Sequence, residues 1–392
     1  MSAELDELLS EPVDHARRRA AESFDRLSAG RGIVLMGAGG LGRRTLAGLR
    51  RHGVEPLAFV DNVTHGTTLD GLPVLSPEAA AGAFGPRAAF VVTIWGAGRP
   101  HRFAQSRDQL RALGCDVVSS FPALFWKYPD VLLPFYLQDL PSRVLDDRAE
   151  VRRAFDLWED EASRAEYVAQ VRFRLHADFD GLSHPVQHPQ YFPDDLFAWS
   201  DEEWIVDGGA YDGDTVRMVS TLHGDRFGRI LALEPDPANF ARLQATVAAL
   251  PPSARAKVDC RQAALGSERA TLHLAATGTA SSTTSAAAST GTIAVNAEAL
   301  DSLVEGAGPT FVKLDIEGFE VDALEGARGT IQRLAPVLAV CVYHQQDHLW
   351  RIPLLLRAWR DDYAFFLRPH NEEGWDLVCY AVPRVRLRGA PR

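Results

Sequence analysis

The sequence predicts an α/β protein made of two doubly wound units joined by a helical connector, and three observations carry that prediction. Residues 33–61 and residues 204–234 each read as an apolar strand, a glycine-rich turn, a helix and a second strand that ends in an acid. Between them, residues 121–182 drop the alternation and space their apolar residues as helices do. After residue 204, strands and helices alternate in the way that builds a mostly parallel sheet.

Composition bounds the function classes. At 392 residues the chain exceeds one ordinary core, and 46% hydrophobic with 24% charged residues is the make-up of a soluble globular protein. A net charge of −11 with no basic run argues against a nucleic-acid partner. Cys115, Cys260, Cys341 and Cys379 are scattered, so neither a disulfide framework nor a zinc site is indicated. The first residues lack the apolar stretch of a signal peptide, and no run reaches membrane-spanning length. A cytoplasmic chain with no membrane partner is expected, with homodimer formation open.

Taken in order, residues 1–29 form an amphipathic helix. Residues 30–120 form the first Rossmann-like unit: strand 33–36, the loop Gly37-Ala38-Gly39-Gly40-Leu41-Gly42, a helix, and strand 56–60 ending at Asp61. That order is the one a nucleotide-binding βαβ requires. Strands at 90–94 and 116–118 complete it, with Arg99, His101 and Arg102 near the start of the helix between them. Residues 121–189 are the connector, with Val151, Phe155, Trp158, Ala162, Tyr167 and Val171 at helical spacing.

Residues 190–392 make the second unit. Its first strand ends at Asp207 and breaks into Gly208-Gly209-Ala210-Tyr211-Asp212-Gly213. Here the acid precedes the glycines, unlike a dinucleotide fingerprint, which suits a cationic or amino-acid-bearing ligand better than a pyrophosphate. Further strands are expected at 229–233, 258–264, 271–275, 311–315 and 337–343, with 363–367 and 375–381 as a closing antiparallel pair. One helix is expected over 320–332. Residues 275–291 are small and of low complexity, a flexible loop or an insertion. Ligands of open α/β sheets sit beyond the carboxyl ends of the strands. Asp207, Glu234, Asp315, Glu317 and His344 therefore converge, and Glu234 is placed to accept both hydroxyls of a ribose.

The segments VDGGAYDGDT, ALEPDPANF, FVKLDIEGFEVDALEGA and VYHQQDHLWRIP, preceded by YFPDD, together resemble the FkbM family of S-adenosylmethionine-dependent methyltransferases over residues 190–382. The resemblance implies a class I methyltransferase domain with a mostly parallel seven-stranded sheet. It also implies S-adenosyl-L-methionine as cofactor. The expected reaction is methyl transfer to a hydroxyl of a small molecule, sugar, glycoside or secondary metabolite. Asp207, Gly209, Asp212 and Gly213 would hold the methionine part, with Ala210 beside them. Glu234 would take the ribose next to Pro235, Gln262 or Ala263 would lie near the adenine, and Asp315 would border the cofactor. Tyr211 stands where much of the wider class has a second glycine.

A hydroxyl acceptor needs a base. His344 is the first choice, because it ends a buried strand and imidazole titrates near neutrality; Asp315 is the second. A core histidine satisfied by a carboxylate is the competing reading. Asp315, Glu317 and His344 are also the candidates for a divalent metal, although none is expected.

The first unit, in GAGGLGRRTLAGL, AFVDN and GLPVLSPEAA, resembles the small Rossmann-like domain of sugar acyltransferases of the PglD type. This implies that Gly37, Gly39, Gly40, Gly42 and Asp61 bind a nucleotide, and that the substrate is a nucleotide sugar or glycosylated metabolite. The alternative is an NAD(P)-dependent oxidoreductase or epimerase in which Asp61 takes the adenosine ribose. No Tyr-x-x-x-Lys pair near this unit supports that chemistry.

Overall fold

Residues 1–96, 101–275, 283–285, 292–304 and 306–389 are described by the computed structural model. Two helices, Ser2–Leu9 and Val13–Ser28, open the chain. The single helix expected there is interrupted at residues 10–12, where Pro12 takes an extended conformation ahead of the second helix. Strands β1 (Gly32–Met36), β2 (Ala58–Val60), β3 (Thr67–Leu69), β4 (Leu72–Leu75), β5 (Ala88–Val92) and β6 (Val117–Ser120) form a sheet in the order β3-β4-β2-β1-β5-β6. All neighbours are parallel except β3 and β4. That pair is a hairpin turning at Asp70-Gly71, both with positive φ, the residues such turns demand. The sequence reading assigned no strand to it.

The second group comprises β7 (Trp204–Gly208), β8 (Arg229–Leu233), β9 (Val258–Arg261), β10 (Ala264–Leu265), β11 (Ala270–Ala275), β12 (Thr283–Ser285), β13 (Ile293–Glu298), β14 (Phe311–Leu314), β15 (Val337–Cys341), β16 (Tyr363–Pro369) and β17 (Leu377–Pro383). Among the described residues, seven of these strands form one sheet in the order β16-β17-β15-β14-β7-β8-β9. It is parallel except at β17, which runs antiparallel to both β15 and β16. The order doubles back at β7, so the loop after β7 opens at the switch point where α/β sheets bind ligands. Four short strands make a separate sheet, β10-β13-β11-β12, which the sequence reading did not anticipate. Much of the low-complexity stretch, residues 276–282 and 286–291, lies outside the described residues, as does Arg99. The helix expected over 320–332 is two, Glu320–Glu325 and Arg328–Leu334, parted at Gly326-Ala327.

β5 and β15 are buried at every position, as strands covered on both faces must be. Helix Glu161–His176 packs on edge strand β16. Leu367 N–H donates to Ser163 Oγ at 2.9 Å and Glu159 N–H to the Phe365 carbonyl at 2.9 Å, which closes that edge. The two halves meet through the segments that follow β5 and β16. Trp95 Nε1 donates to the Glu373 carbonyl at 3.1 Å, its ring centroid lies 4.6 Å from that of Trp375, and Arg102 pairs with Glu372 at 2.8 Å. One apolar core runs through both. Among the described residues no helix is long and apolar enough to cross a membrane.

Candidate active site

β7 ends in Asp207-Gly208, and the chain turns at Gly209 toward helix Asp214–His223. Gly209 has φ 76°, and a Cβ there would stand 1.9 Å from the Asp315 carbonyl oxygen, so only glycine lets the loop lie against the end of β14. Lys313 holds it there. Lys313 sits opposite Asp207 across the β7–β14 ladder. Its Nζ lies 2.9 Å from Asp207 Oδ1 and donates to the Gly208 and Gly209 carbonyls at 3.2 and 2.6 Å. Burial would lower the Lys313 pKa. Asp207, Asp315 and Asp214 instead raise it above its ordinary value, so a full positive charge stays in the core.

Glu234 follows β8. Its Oε2 accepts from Tyr211 N–H at 2.9 Å and its Oε1 from Asp236 N–H at 2.8 Å, tying the glycine loop to the next helix start. Burial pushes its carboxyl up to about 7 against these hydrogen bonds. A carboxylate offers roughly four lone-pair sites, so capacity remains toward a ligand.

Asp315 follows β14. The Tyr191 hydroxyl donates to its Oδ2 at 2.8 Å, the Tyr343 hydroxyl to its Oδ1 at 3.2 Å, and His344 Nε2 lies 3.3 Å from Oδ1. His344 Nδ1 lies 2.8 Å from Glu320 Oε1, which also accepts from Ile316 N–H at 2.9 Å. His348 Nδ1 is 3.2 Å from the other Glu320 oxygen, without the alignment of a hydrogen bond. Burial alone would lower the His344 pKa. Glu320, by charge and hydrogen bond, together with Glu317 and Asp315, raises it to about 10. His344 is therefore an imidazolium at neutral pH. Burial alone would raise the Glu320 pKa; His344 and His348 hold it well below the usual carboxylate range.

These elements border one cavity of about 620 Å³. On the side of β8 and β9 it is walled by Gly209, Glu234, Pro235 and the run Ala263-Ala264-Leu265. On the side of β14, β15 and β17 it is walled by Asp315, Glu317, Tyr343, Trp375 and Asp376. Gly40, Leu41, Arg44 and Trp95 close it from the amino-terminal sheet. A glycine-loop wall, an acid after β8 and a polar cluster after β14 are here continuous with one another.

Residues 207–367 match the Methyltransferase FkbM domain. The crystal structure of methyltransferase FkbM from Methylobacillus flagellatus KT is similar in fold over 97% of this chain and 97% of that one, with a TM-score of 0.76 and 21% identity. The methyltransferase domain of bacterial CtHen1-CN overlays weakly, at a TM-score of 0.29 and 9% identity over 46% of this chain and 90% of that one. No curated protein matches.

Within the matching segment, Gly209, Glu234, Pro235, Asp315 and Glu317 reach the cavity, and Ala263 lies where a residue near the adenine was expected. Several others do not. Asp207 is fully buried behind the loop because Lys313 claims its carboxylate, and Ala210 is buried beside it. Asp212 turns away to pair with Arg217 at 2.7 Å. Gly213, with φ 85°, forms the N-cap of the following helix. Gln262 is exposed beyond the end of β9 and off the cavity wall. His344 borders a neighbouring cavity of about 710 Å³ instead. The carboxylates of Glu320, Glu317 and Asp315 favour its charged form, in which neither nitrogen accepts a proton, and this weighs against its reading as a base. Asp315, Glu317 and His344 form no ligand group among the described residues. His188, Asp194 and Asp195 do converge, at the surface, with ligand atoms within 4.8 Å of one another.

In the amino-terminal loop, Gly40 reaches the cavity, and Gly39 forms the N-cap of helix Gly40–Arg51. A Cβ on Gly42 would stand 1.9 Å from the Gly37 carbonyl oxygen, so the loop is closed on itself. Asp61 accepts from Ala38 N–H at 3.2 Å, Val63 N–H at 2.9 Å and Thr64 N–H at 2.8 Å. Its carboxylate organises its own turn, and it is not among the described residues of the cavity wall.

Sequence reasoning missed Lys313, Glu320, Asp214, Trp375 and Asp376. One signal was available for Lys313: a lone lysine inside the apolar run FVKL requires an acid on the next strand. Asp376 had no such signal. It takes a left-handed conformation, φ 49°, and burial, then Asp315, pushes its carboxyl up to about 6.

Proposed function

We propose that this chain is an S-adenosylmethionine-dependent O-methyltransferase acting on a hydroxyl of a small molecule such as a sugar, glycoside or secondary metabolite. One observation supports it most: within a segment matching the Methyltransferase FkbM domain, Gly209, Glu234 and Asp315 wall a single cavity. The residues fit the cofactor chemically. The backbone at Gly209 is bare, the unused lone pairs of Glu234 suit ribose hydroxyls, and Ala263-Ala264-Leu265 offers an apolar seat for a base. Asp214, on the cavity wall, supplies a carboxylate for an ammonium. When bound, the cofactor supplies an electrophilic methyl group.

The chain's own part is orientation, which is worth about 7–11 kcal/mol in favourable cases. Asp315 would accept the hydrogen bond of the acceptor hydroxyl. Tyr191, Tyr343 and the His344 cation hold its carboxylate in place. In this reading His344 is a positioning residue. The proton passes to a cavity carboxylate poised near neutrality. Glu317 qualifies, pushed up to about 7 by burial against the pull of His344, as does Asp376.

Calorimetry with S-adenosylhomocysteine tests the reading. Glu234→Ala should weaken binding about 10- to 100-fold, the loss of one or two hydrogen bonds to a charged group. The ionised form of Glu234 is the better acceptor, and its pKa is about 7. Binding should therefore strengthen as pH rises from 6 to 8 and lose that dependence in the variant. A wild-type protein that does not bind S-adenosylhomocysteine ends the proposal.

A further inference from the structure

The cavity is bipolar. Asp214, Glu234, Asp315, Glu317 and Asp376 all lie on its carboxy-terminal walls, and Arg44, from the amino-terminal sheet's first helix, is the one Lys or Arg among its described lining residues. Two of the other three arginines of that helix have acidic partners: Arg43 pairs with Asp70 at 3.0 Å and Arg50 with Glu55 at 2.6 Å, while Arg51 lies off the cavity wall. Arg44 has no acidic partner among the described residues. Its Nη2 donates to the Leu132 and Pro134 carbonyls at 3.2 and 3.4 Å, and its guanidinium lies 5.1 Å from the centre of the Phe135 ring. Those contacts anchor one nitrogen and one face of the group. Nε and Nη1 meet no acceptor among the described residues. Burial, then the like charge of Arg51, lowers the Arg44 pKa from its ordinary value, against the pull of Tyr136. An exposed guanidinium anchored at one nitrogen, and unmatched by any acid among the described residues, suits an oxyanion, which it can bind through two parallel hydrogen bonds.

We infer that the acceptor carries a phosphate or carboxylate group and that Arg44 receives it, so that the amino-terminal half reads the acceptor while the FkbM domain holds the donor. The inference rests on the methyltransferase reading of the cavity. The acids opposite then have a second effect: they disfavour an anion everywhere in the cavity except at Arg44, which sets the acceptor's direction. The aromatic seam beside Arg44, where Trp95 and Tyr136 both lie against Trp375 at 4.6 and 4.7 Å between ring centroids, supplies an apolar surface for the body of such a molecule.

The experiment is calorimetry on the full chain saturated with S-adenosylhomocysteine, titrated separately with UDP-glucose, glucose 1-phosphate, glucuronate and glucose. At least one charged probe should bind at least tenfold more tightly than glucose, and the phosphate and carboxylate arms identify which oxyanion is read. Arg44→Ala should weaken that probe about 10- to 100-fold, and Arg44→Lys, which keeps the charge but not the fork, by less. S-adenosylhomocysteine affinity should be unchanged in both variants, which shows that they are folded. Glucose binding as well as every charged probe, no charged probe binding at millimolar concentration, or Arg44→Ala leaving the charged probe's affinity intact overturns the inference. Failure of S-adenosylhomocysteine to bind the wild type is a separate result and overturns the methyltransferase reading itself.

Discussion

Lys313→Met is expected to lower the unfolding free energy by about 3–5 kcal/mol, the usual loss when one partner of a buried ion pair is removed. The cause is specific. Lys313 and Asp207 are both essentially inaccessible, at 2% and 0% side-chain exposure, so Asp207 would be left as an unpaired charge in the core. The Gly208 and Gly209 carbonyls would lose their donor as well, and the loop would no longer be drawn against β14. Urea unfolding measures the first effect. Calorimetry with S-adenosylhomocysteine, under conditions where the variant is folded, measures the second as lost affinity. The double variant Asp207→Asn, Lys313→Met should be less destabilised than the sum of the single changes, because it leaves no orphaned charge. A loss below about 1 kcal/mol for Lys313→Met would show that the pair does not hold the loop.

Glu320→Gln is the second large effect. It removes the carboxylate that keeps His344 charged and that bonds Ile316 N–H, and a loss of about 3–5 kcal/mol is expected near pH 6. The pH dependence gives a sharper test. The His344 pKa is raised from 6.5 to about 10, so its contribution is complete below pH 6.5 and disappears as pH rises through 10. Glu320 is lowered from 4.5, so its contribution is complete above pH 4.5 and disappears as pH falls through its depressed value. The pair is thus intact between pH 4.5 and 6.5. Thermal midpoints of the wild type should fall from pH 6.5 to 9.5. Raised carboxyls such as Glu234 and Glu317, at about 7, act with the same sign over part of that range. In Glu320→Gln the slope should be shallower. Equal slopes in the two proteins would mean that Glu320 does not set the His344 charge.

Much of the fold was legible because its signals are local. Apolar runs such as FVV and VLAV announce buried parallel strands. The misplacements were local too: Pro12 splits the first helix, and Asp70-Gly71 is a hairpin turn that was passed over. The site was legible as a set of strand ends, and Gly209, Glu234 and Asp315 are where that logic puts them. It was not legible as chemistry. Nothing near His344 in the chain discloses that Glu320, 24 residues earlier, would meet its Nδ1 and keep it protonated.

By itself, then, the sequence determined the strand–helix alternation, both glycine turns and the acids that follow the strands, because spacing and residue type suffice for these. Only the tertiary structure decided which acids face the cavity and which face a buried cation. It also decided that the two glycine loops, which look like separate binding sites in the chain, share one cavity. The physical reason is common to both: a side chain's charge and direction depend on neighbours brought from distant strands and on the water those neighbours exclude. Asp207 and Lys313 show it best, since Asp207 reads alone as a candidate for a ligand and the two neutralise one another beneath the site.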